Sequence, residues 1–321
     1  MQKSTLSAKR FHDEQAAYDW VESRLWPKGP VCPHCGGTDR ISKMQGKSTR
    51  FGLYKCYRCR KPFRVTVGTI FEASHIPLHI WLQGIALLSS SKKGISSNQL
   101  HRTLGIGLKA AWFMSHRIRE AMRDGALAPL GGSGGPVEAD ETYLWKKAPE
   151  KILTRTTRGR PFTKSGKPGP ANKRAILSLV ERGGSVRSFH VENADKSTVS
   201  IIVDENVARE ARMHTDESRI YSDVIGMVAD HQTVRHSAGE YVRWQDGEAI
   251  HTNSAEGFFS IFKRGMKGIY QHCAEKHLHR YLAEFDFRYN NRVAVGVDDA
   301  ARADAALRGF VGKRLTYRTI N

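Results

Sequence analysis

The apolar positions change period several times along the chain, and each change marks an element. Ala17, Trp20, Val21 and Leu25 recur at helical spacing and predict an amphipathic helix over Asp13–Leu25. Ile80–Leu88 is apolar almost throughout and predicts a buried helix. Ser96–Leu104 and Lys109–Arg123, parted by Gly105-Ile-Gly107, have the proportions of a helix-turn-helix, or of a plain helical hairpin. In the second of these, Trp112, Ile118 and Met122 read as packing residues, and His116, Arg117, Arg119 and Arg123 as the polar face. At Val137 the period drops to two. Val137–Trp145 predicts a strand with Glu138, Asp140 and Thr142 on one face and Val137, Ala139 and Glu141 on the other. Arg174–Glu181 and Val186–Val191 predict two more strands joined by a hairpin turn at Arg182–Ser185. Asp195–Val207 reads as a helix, and Ala211–Thr215 as a short strand running into Asp216. From His251 to Gly265 the helical period returns. Ala255, Phe258, Phe259, Phe262 and Met266 form its apolar face, and Asn253, Glu256, Ser260 and Lys263 a polar stripe. His277–Arg292 predicts a further helix, and an alanine-rich helix from Val297 precedes a basic tail.

Charge narrows the partner. The 321 residues hold 51 Lys+Arg against 32 Asp+Glu, a net charge of +19 that suits a polyanion, nucleic acid first. Such a balance also occurs in ribosomal and membrane-surface proteins. The longest apolar run, Ile76–Leu88, carries His79 and Gln83 and is too short to span a bilayer. No apolar secretory segment opens the chain, so a soluble cytoplasmic, nucleoid-associated protein with no membrane partner is expected. Basic residues concentrate in Lys146–Arg174, where ten Lys+Arg face one acid among Gly, Pro and Thr. That composition predicts an extended loop tracking nucleic acid, with Arg155, Arg158, Arg160, Lys164 and Lys167 on phosphates. Gly131–Gly135 reads as a flexible linker.

Two chemistries stand out. Cys32-Pro-His-Cys35 and Cys56-Tyr-Arg-Cys59, with twenty residues between, have the spacing of a four-sulfur zinc site. Four sulfurs close the tetrahedron, so the zinc is structural and His34 a bystander. The intervening segment and Phe63–Val67 are expected as short strands of a zinc ribbon. Arg58, Arg60, Lys61 and their basic neighbours would lie on DNA. The second chemistry is acidic. Asp140 falls mid-strand in a half-buried setting, Asp216 ends another strand, and Glu256 lies on the polar stripe of the Phe-rich helix. Lys263, seven residues after Glu256, is nearly eclipsed with it at about 100° per residue. A structural alternative is open: Asn253 as the helix cap and Glu256 as its capping-box partner.

Together these motifs, C-P-H-C-G, C-Y-R-C-R, V-T-V-G-T-I-F, D-E-T-Y, T-D-E and H-T-N-S-A-E-G-F-F-S-I-F-K-R-G, resemble bacterial insertion-sequence transposases with a zinc ribbon and a DDE catalytic domain, relatives of the Merlin transposons. The resemblance implies a mixed α/β, ribonuclease-H-like catalytic domain preceded by a zinc ribbon and a helix-turn-helix-like region. The expected organisation is an N-terminal helix (1–29), zinc ribbon (30–74), helical DNA-binding region (75–130), linker (131–136), catalytic domain (137–295) with the basic insertion 146–174, and a C-terminal helix with basic tail (296–321). The family pattern falls on Asp140, Asp216 and Glu256 as ligands of two Mg²⁺ (or Mn²⁺), with Asn253 beside Glu256 and an alternative third ligand. Lys263 and Arg264 would hold DNA, with Arg117 and Arg119 of the helical region. Implied partners are double-stranded DNA, at element ends and target, and further copies of the chain in a homodimer or larger assembly. The implied activity is cleavage at terminal inverted repeats and joining of the 3′ ends to target DNA. The competing readings are a structure-specific nuclease of the same fold and a DNA-binding regulator that does not cut.

Overall fold

Asp13 turns its carboxylate onto the Ala16 amide (2.8 Å) and starts α1 (Glu14–Leu25), which buries Ala17, Tyr18 and Val21. Trp20 and Leu25, expected inward, are only half-buried, because the apolar face is centred on Tyr18. The computed structural model describes residues 5–123, 128–147 and 172–316. It divides into two units, Met1–Asp124 with Asn291–Asn321, and Gly125–Asn290.

In the first unit a three-stranded antiparallel sheet, β1 (Ile41–Lys43), β2 (Tyr54–Cys56) and β3 (Pro62–Phe63), packs on α1. The Tyr54 hydroxyl donates to Glu22 (2.8 Å), Arg64 donates to the Tyr18 hydroxyl (2.9 Å), and Trp26 stands edge-on to Tyr54 and Phe63. The strand expected over Phe63–Val67 stops at Phe63. Beyond it the Val67 amide closes a turn on the Arg64 carbonyl. Three helices follow, α2 (Leu78–Ser90), α3 (Ser97–Leu104) and α4 (Leu108–Met122).

The helix-turn-helix proportions are present, but α4 does not offer the expected polar face. Arg117 and Arg119 are 6% and 1% exposed, and His116 is buried beside them. Arg117 donates to the Ile70, Glu72 and Leu315 carbonyls, and Arg119 to the Ser115 hydroxyl. Buried carbonyls outside regular structure need donors, and a long side chain can bury its stem while its guanidinium supplies several. Arg117 and Arg119 are therefore corrected from DNA contacts to internal struts. What α4 leaves exposed is its N-terminal end, Leu108 and Lys109.

The second unit is built on a five-stranded sheet of order β6-β5-β4-β7-β8: β4 (Pro136–Lys146), β5 (Lys173–Glu181), β6 (Val186–Val191), β7 (Arg212–Asp216) and β8 (Asp230–Val234). The first three pair antiparallel, and β7 lies parallel to both β4 and β8. This order is ribonuclease-H-like, and the fold is mixed α/β. β5 is covered on both faces, and Ala175–Val180 is apolar but for Ser178. Ala175, Leu177 and Leu179 join Val137, Ala139 and Met213 in a core under α5 (Lys196–Asn206). Ile176, Val180 and Leu144 face α6 (Asn253–Gly265) and α7 (Leu278–Asn290) on the other side. The free edge of β6 is closed by α7. Asp286 accepts from the Ser188 amide (2.8 Å), and Asn290 bonds both the amide and the carbonyl of Val186. Arg288 is buried against Glu284.

The glycine run before β4 is not a free linker. Gly131 has φ +75°, its amide bonds Glu181, and a Cβ there would lie 2.5 Å from that of Ala211. Leu130 is in the core beside it. Lys146 pairs with Lys173, so the basic insertion leaves from the end of the β4–β5 hairpin. Arg155, Arg158, Arg160, Lys164 and Lys167 lie outside the described residues.

Candidate active site and metal centre

The four thiols come together. Cys32 and Cys59 sulfurs are 3.7 Å apart, as are those of Cys35 and Cys56, and all four lie within 4.8 Å of one another. A tetrahedron with about 2.3 Å zinc–sulfur bonds has edges of roughly 3.8 Å, so the donor set fits zinc in spacing and chemistry. Each knuckle closes on its own backbone, Gly36 N–H on the Cys32 carbonyl and Cys56 N–H on the Lys61 carbonyl. The residue after each second cysteine is left-handed, Gly36 at φ +70° and Arg60 at φ +62°. Arg58, Arg60 and Lys61 are exposed around this site.

Asp140 and Asp216 share a sheet face. The parallel register pairs Glu138 with His214, and two residues further on, where pairing has ended, stand Asp140 and Asp216. Helix α6 packs on this same face through Ala255, Phe258, Phe259, Phe262 and Met266, all buried as their spacing predicts. Its first turn brings Glu256, whose side chain is 47% exposed, with the His236 ring 3.8 Å from its carboxylate. Burial, then the charges of Glu141, Asp216 and Glu256, push Asp140 up to about 7. Asp216 is held by the Ser218 amide (3.0 Å). Glu141 turns to the opposite face and accepts from the buried Tyr221 hydroxyl (2.8 Å), yet it still contributes to the repulsion on Asp140. Pointing away does not isolate a charge in a poorly solvated place. Carboxylate oxygens are the hard donors that suit Mg²⁺ or Mn²⁺, although among the described residues only the four thiols have ligand atoms gathered within 4.8 Å of one another.

Sequence reasoning allowed Asn253 to cap α6 with Glu256 as its partner. Instead Thr252 is the N-cap residue and makes no side-chain cap bond, and Asn253 is exposed in the first helical position. The cap comes from Glu138. Its fully buried carboxylate accepts from the Ser254 amide (2.7 Å), the Ala255 amide (3.1 Å) and the Ser254 hydroxyl (2.9 Å). Glu138, on the Asp140 face of β4, is thus occupied as a cap. Glu256 is released from capping. Lys263 rests over the Phe259 ring and has no carboxylate partner among the described residues, and Arg264 is exposed.

Residues that sequence reasoning missed lie behind the acids. Arg182 donates to Glu138 (3.0 Å), to the Ala249 carbonyl (2.7 Å) and to Nδ1 of His214 (3.1 Å). Its place in a predicted hairpin turn gave no signal of this. Burial, then the Arg182 charge, brings His214 down to about 4. The folded state therefore binds fewer protons than the unfolded one between that value and about 6.5, and this contribution to stability is lost as pH falls through that window. His214→Asn keeps an acceptor without the titration. The stability difference between wild type and this variant is expected to shift against wild type by about 2 kcal/mol from pH 7 to pH 5. Denaturant unfolding at the two pH values measures it, and a flat difference rules out the neutral, Arg182-bound histidine.

Comparison with known proteins follows the same division. Residues 132–290 match the ISXO2-like transposase domain and residues 12–62 the transposase zinc-ribbon domain. A Halobacterium salinarum protein described as an uncharacterized protein in transposable element ISH50 is 25% identical over 286 residues, covering 88% of this chain and 93% of its own. Among solved structures, the Mos1 strand transfer complex aligns with 67% of this chain and 77% of that one, at 13% identity and a TM-score of 0.22. A pre-cleavage Mos1 transpososome aligns with 88% and 92%, at 11% identity and a TM-score of 0.19. Overlap this slight adds nothing to the strand order as a guide to fold. The chain thus carries the zinc ribbon and the transposase domain of the IS1595 family of transposases.

Proposed function

We propose that this transposase binds the ends of its own element, cleaves DNA there and joins the freed 3′ ends to target DNA, with Asp140, Asp216 and Glu256 holding the catalytic cations. The observation that carries the reading is that Asp140 and Asp216 share one sheet face, on which α6 packs with Glu256 in its first turn; burial first, then the charges of Glu141, Asp216 and Glu256, raise Asp140 to about 7. Structural carboxylates are normally paired with donors, whereas no side-chain donor bonds Asp140 among the described residues.

Each residue then has a part. Asp140 and Asp216, side by side where the pairing of β4 with β7 has ended, would hold hard cations together with Glu256 of α6. When bound, two divalent ions supply an activated attacking oxygen and stabilise the leaving 3′ oxygen of an in-line displacement. Lys263, about 10 Å along α6 from Glu256 at 1.5 Å per residue, carries a point charge suited to a phosphate further along the strand. His236 lies beside Glu256 and helps to aim it. The exposed cations of the ribbon, Arg58, Arg60 and Lys61, serve end recognition through phosphates. Joining two ends to one target calls for at least two copies of the chain on DNA.

The test is a strand-transfer reaction. Full-length protein, Mg²⁺, labelled DNA carrying the element's terminal repeats and a circular target should give joined products of defined length, and none with Ca²⁺ in place of Mg²⁺. Hydrolysis without joining would reassign the protein as a nuclease. Binding without any strand cleavage would make it a regulator.

A further inference from the structure

We propose that Glu138 is a positioning residue that, with Arg182, sets Glu256 of α6 against Asp140 and Asp216 of the sheet; this rests on the active-site reading above. A fully buried carboxylate is costly unless donors surround it, and Glu138 has them from three directions. Ser254 and Ala255 supply two first-turn amides of α6 and a hydroxyl. Arg182 Nε lies 3.0 Å from the carboxylate, and the His251 ring 3.1 Å from it. The remaining Arg182 nitrogens reach the Ala249 carbonyl before α6 and His214 on β7.

The spacing gives the network its meaning. Asp140 is two residues beyond Glu138 on β4, Asp216 two beyond His214 on β7, and Glu256 two beyond Ser254 on α6. Each acid sits one short step from an atom bonded to Glu138 or to its Arg182 partner. A helix usually takes its cap from a neighbouring residue, which fixes the helix start but nothing else. Here the cap is supplied 116 residues upstream, from the strand that bears another acid of the site. The negative charge also suits the positive end of the helix. Glu138 therefore converts capping into registration: α6 cannot slide or tilt at its first turn without breaking its link to β4.

A positioning role should weaken cation binding by way of Glu256, whereas a merely stabilising one should not. Mn²⁺ titration calorimetry on the full chain without DNA reads this directly. Glu138→Gln is expected to weaken Mn²⁺ binding about 10- to 100-fold, the range for residues supporting metal ligands. In a Glu256→Gln background the same change should cost less than about threefold, because the acid being positioned is already gone. Amide exchange at Ser254–Glu256 should quicken in Glu138→Gln. Unchanged affinity in the folded variant overturns the proposal, and so does an equal loss in both backgrounds. Should Glu138→Gln fail to fold, Ser254→Ala removes only the 2.9 Å hydroxyl bond. It should show a smaller loss of a few fold with the same dependence on Glu256, and a loss independent of Glu256 again overturns the idea. Asp140→Ala separates the two levels. If it leaves Mn²⁺ binding intact, the active-site reading itself has failed.

Discussion

Asp140→Asn is expected to abolish cleavage and joining while leaving the protein at least as stable as wild type. The activity side follows from the proposed role of this carboxylate in holding cations beside Asp216. Replacing it with a neutral amide should cost at least about 10³-fold in rate, roughly 4 kcal/mol of barrier. The stability side follows from the repulsion. Asp140 is pushed up to about 7 by burial and by Glu141, Asp216 and Glu256. The folded state thus binds a proton more readily than the unfolded one, and the penalty for ionising Asp140 grows as pH rises from about 4 to 7 and then levels off. Removing the charge should therefore raise the free energy of unfolding at pH 8, by up to about 2 kcal/mol after allowing for partial access to water, and change little near pH 4. Added Mg²⁺ should reverse the ranking, since only wild type gains binding free energy from the ion. Cleavage that survives in the variant, or a variant less stable than wild type at pH 8 without divalent ions, would falsify the assignment of Asp140 to a repelling cation site.

Much of the second unit was legible because its periods are strong. The five apolar positions of α6 are at 3% exposure or less, and β5 and β6 lie within a residue of their expected bounds. The cysteine spacing was as informative, since two tight turns have few other uses. What escaped notice was polar. β8 reads Asp-His-Gln-Thr-Val, an edge strand with one apolar residue at its end, and edge strands are kept polar to prevent pairing with other chains. The short hairpin of β9 (Arg243–Gln245) and β10 (Glu248–Ile250) leads into α6 with as little signal. Arg117 and Arg119 misled because residue type was read as exposure. The Arg117 guanidinium meets carbonyls of segments far away in sequence, as at Ile70, which no local pattern encodes, and Arg119 turns back onto the Ser115 hydroxyl of its own helix. Glu138 is the sharpest case. Alternation placed it on the Asp140 face, but only the tertiary fold brings the first turn of α6 to its carboxylate.

Zinc removal should have the largest effect on the first unit. The ribbon buries little apolar surface of its own: Tyr54 and Phe63, with Trp26 and Ile41 partly covered, beside the buried Cys32 and Cys56. A sheet of strands three, three and two residues long cannot persist on that core. Structural zinc in comparable small modules supplies about 10–16 kcal/mol of binding free energy, which here would be folding free energy. Stripping the ion with a strong chelator is expected to unfold residues 30–70 and to loosen α1, whose Glu22 and Tyr18 bond Tyr54 and Arg64. Amide exchange should then show lost protection at Ile41–Lys43 and Tyr54–Cys56, with the sheet of the second unit still protected. The footprint on element ends should weaken with it, because Arg58, Arg60 and Lys61 are aimed only by the closed knuckles. Cys56→Ser should reproduce the result without chelator. A ribbon that keeps its protection after one equivalent of zinc has been released, or an unchanged footprint, would mean that the four thiols are not what holds this module together.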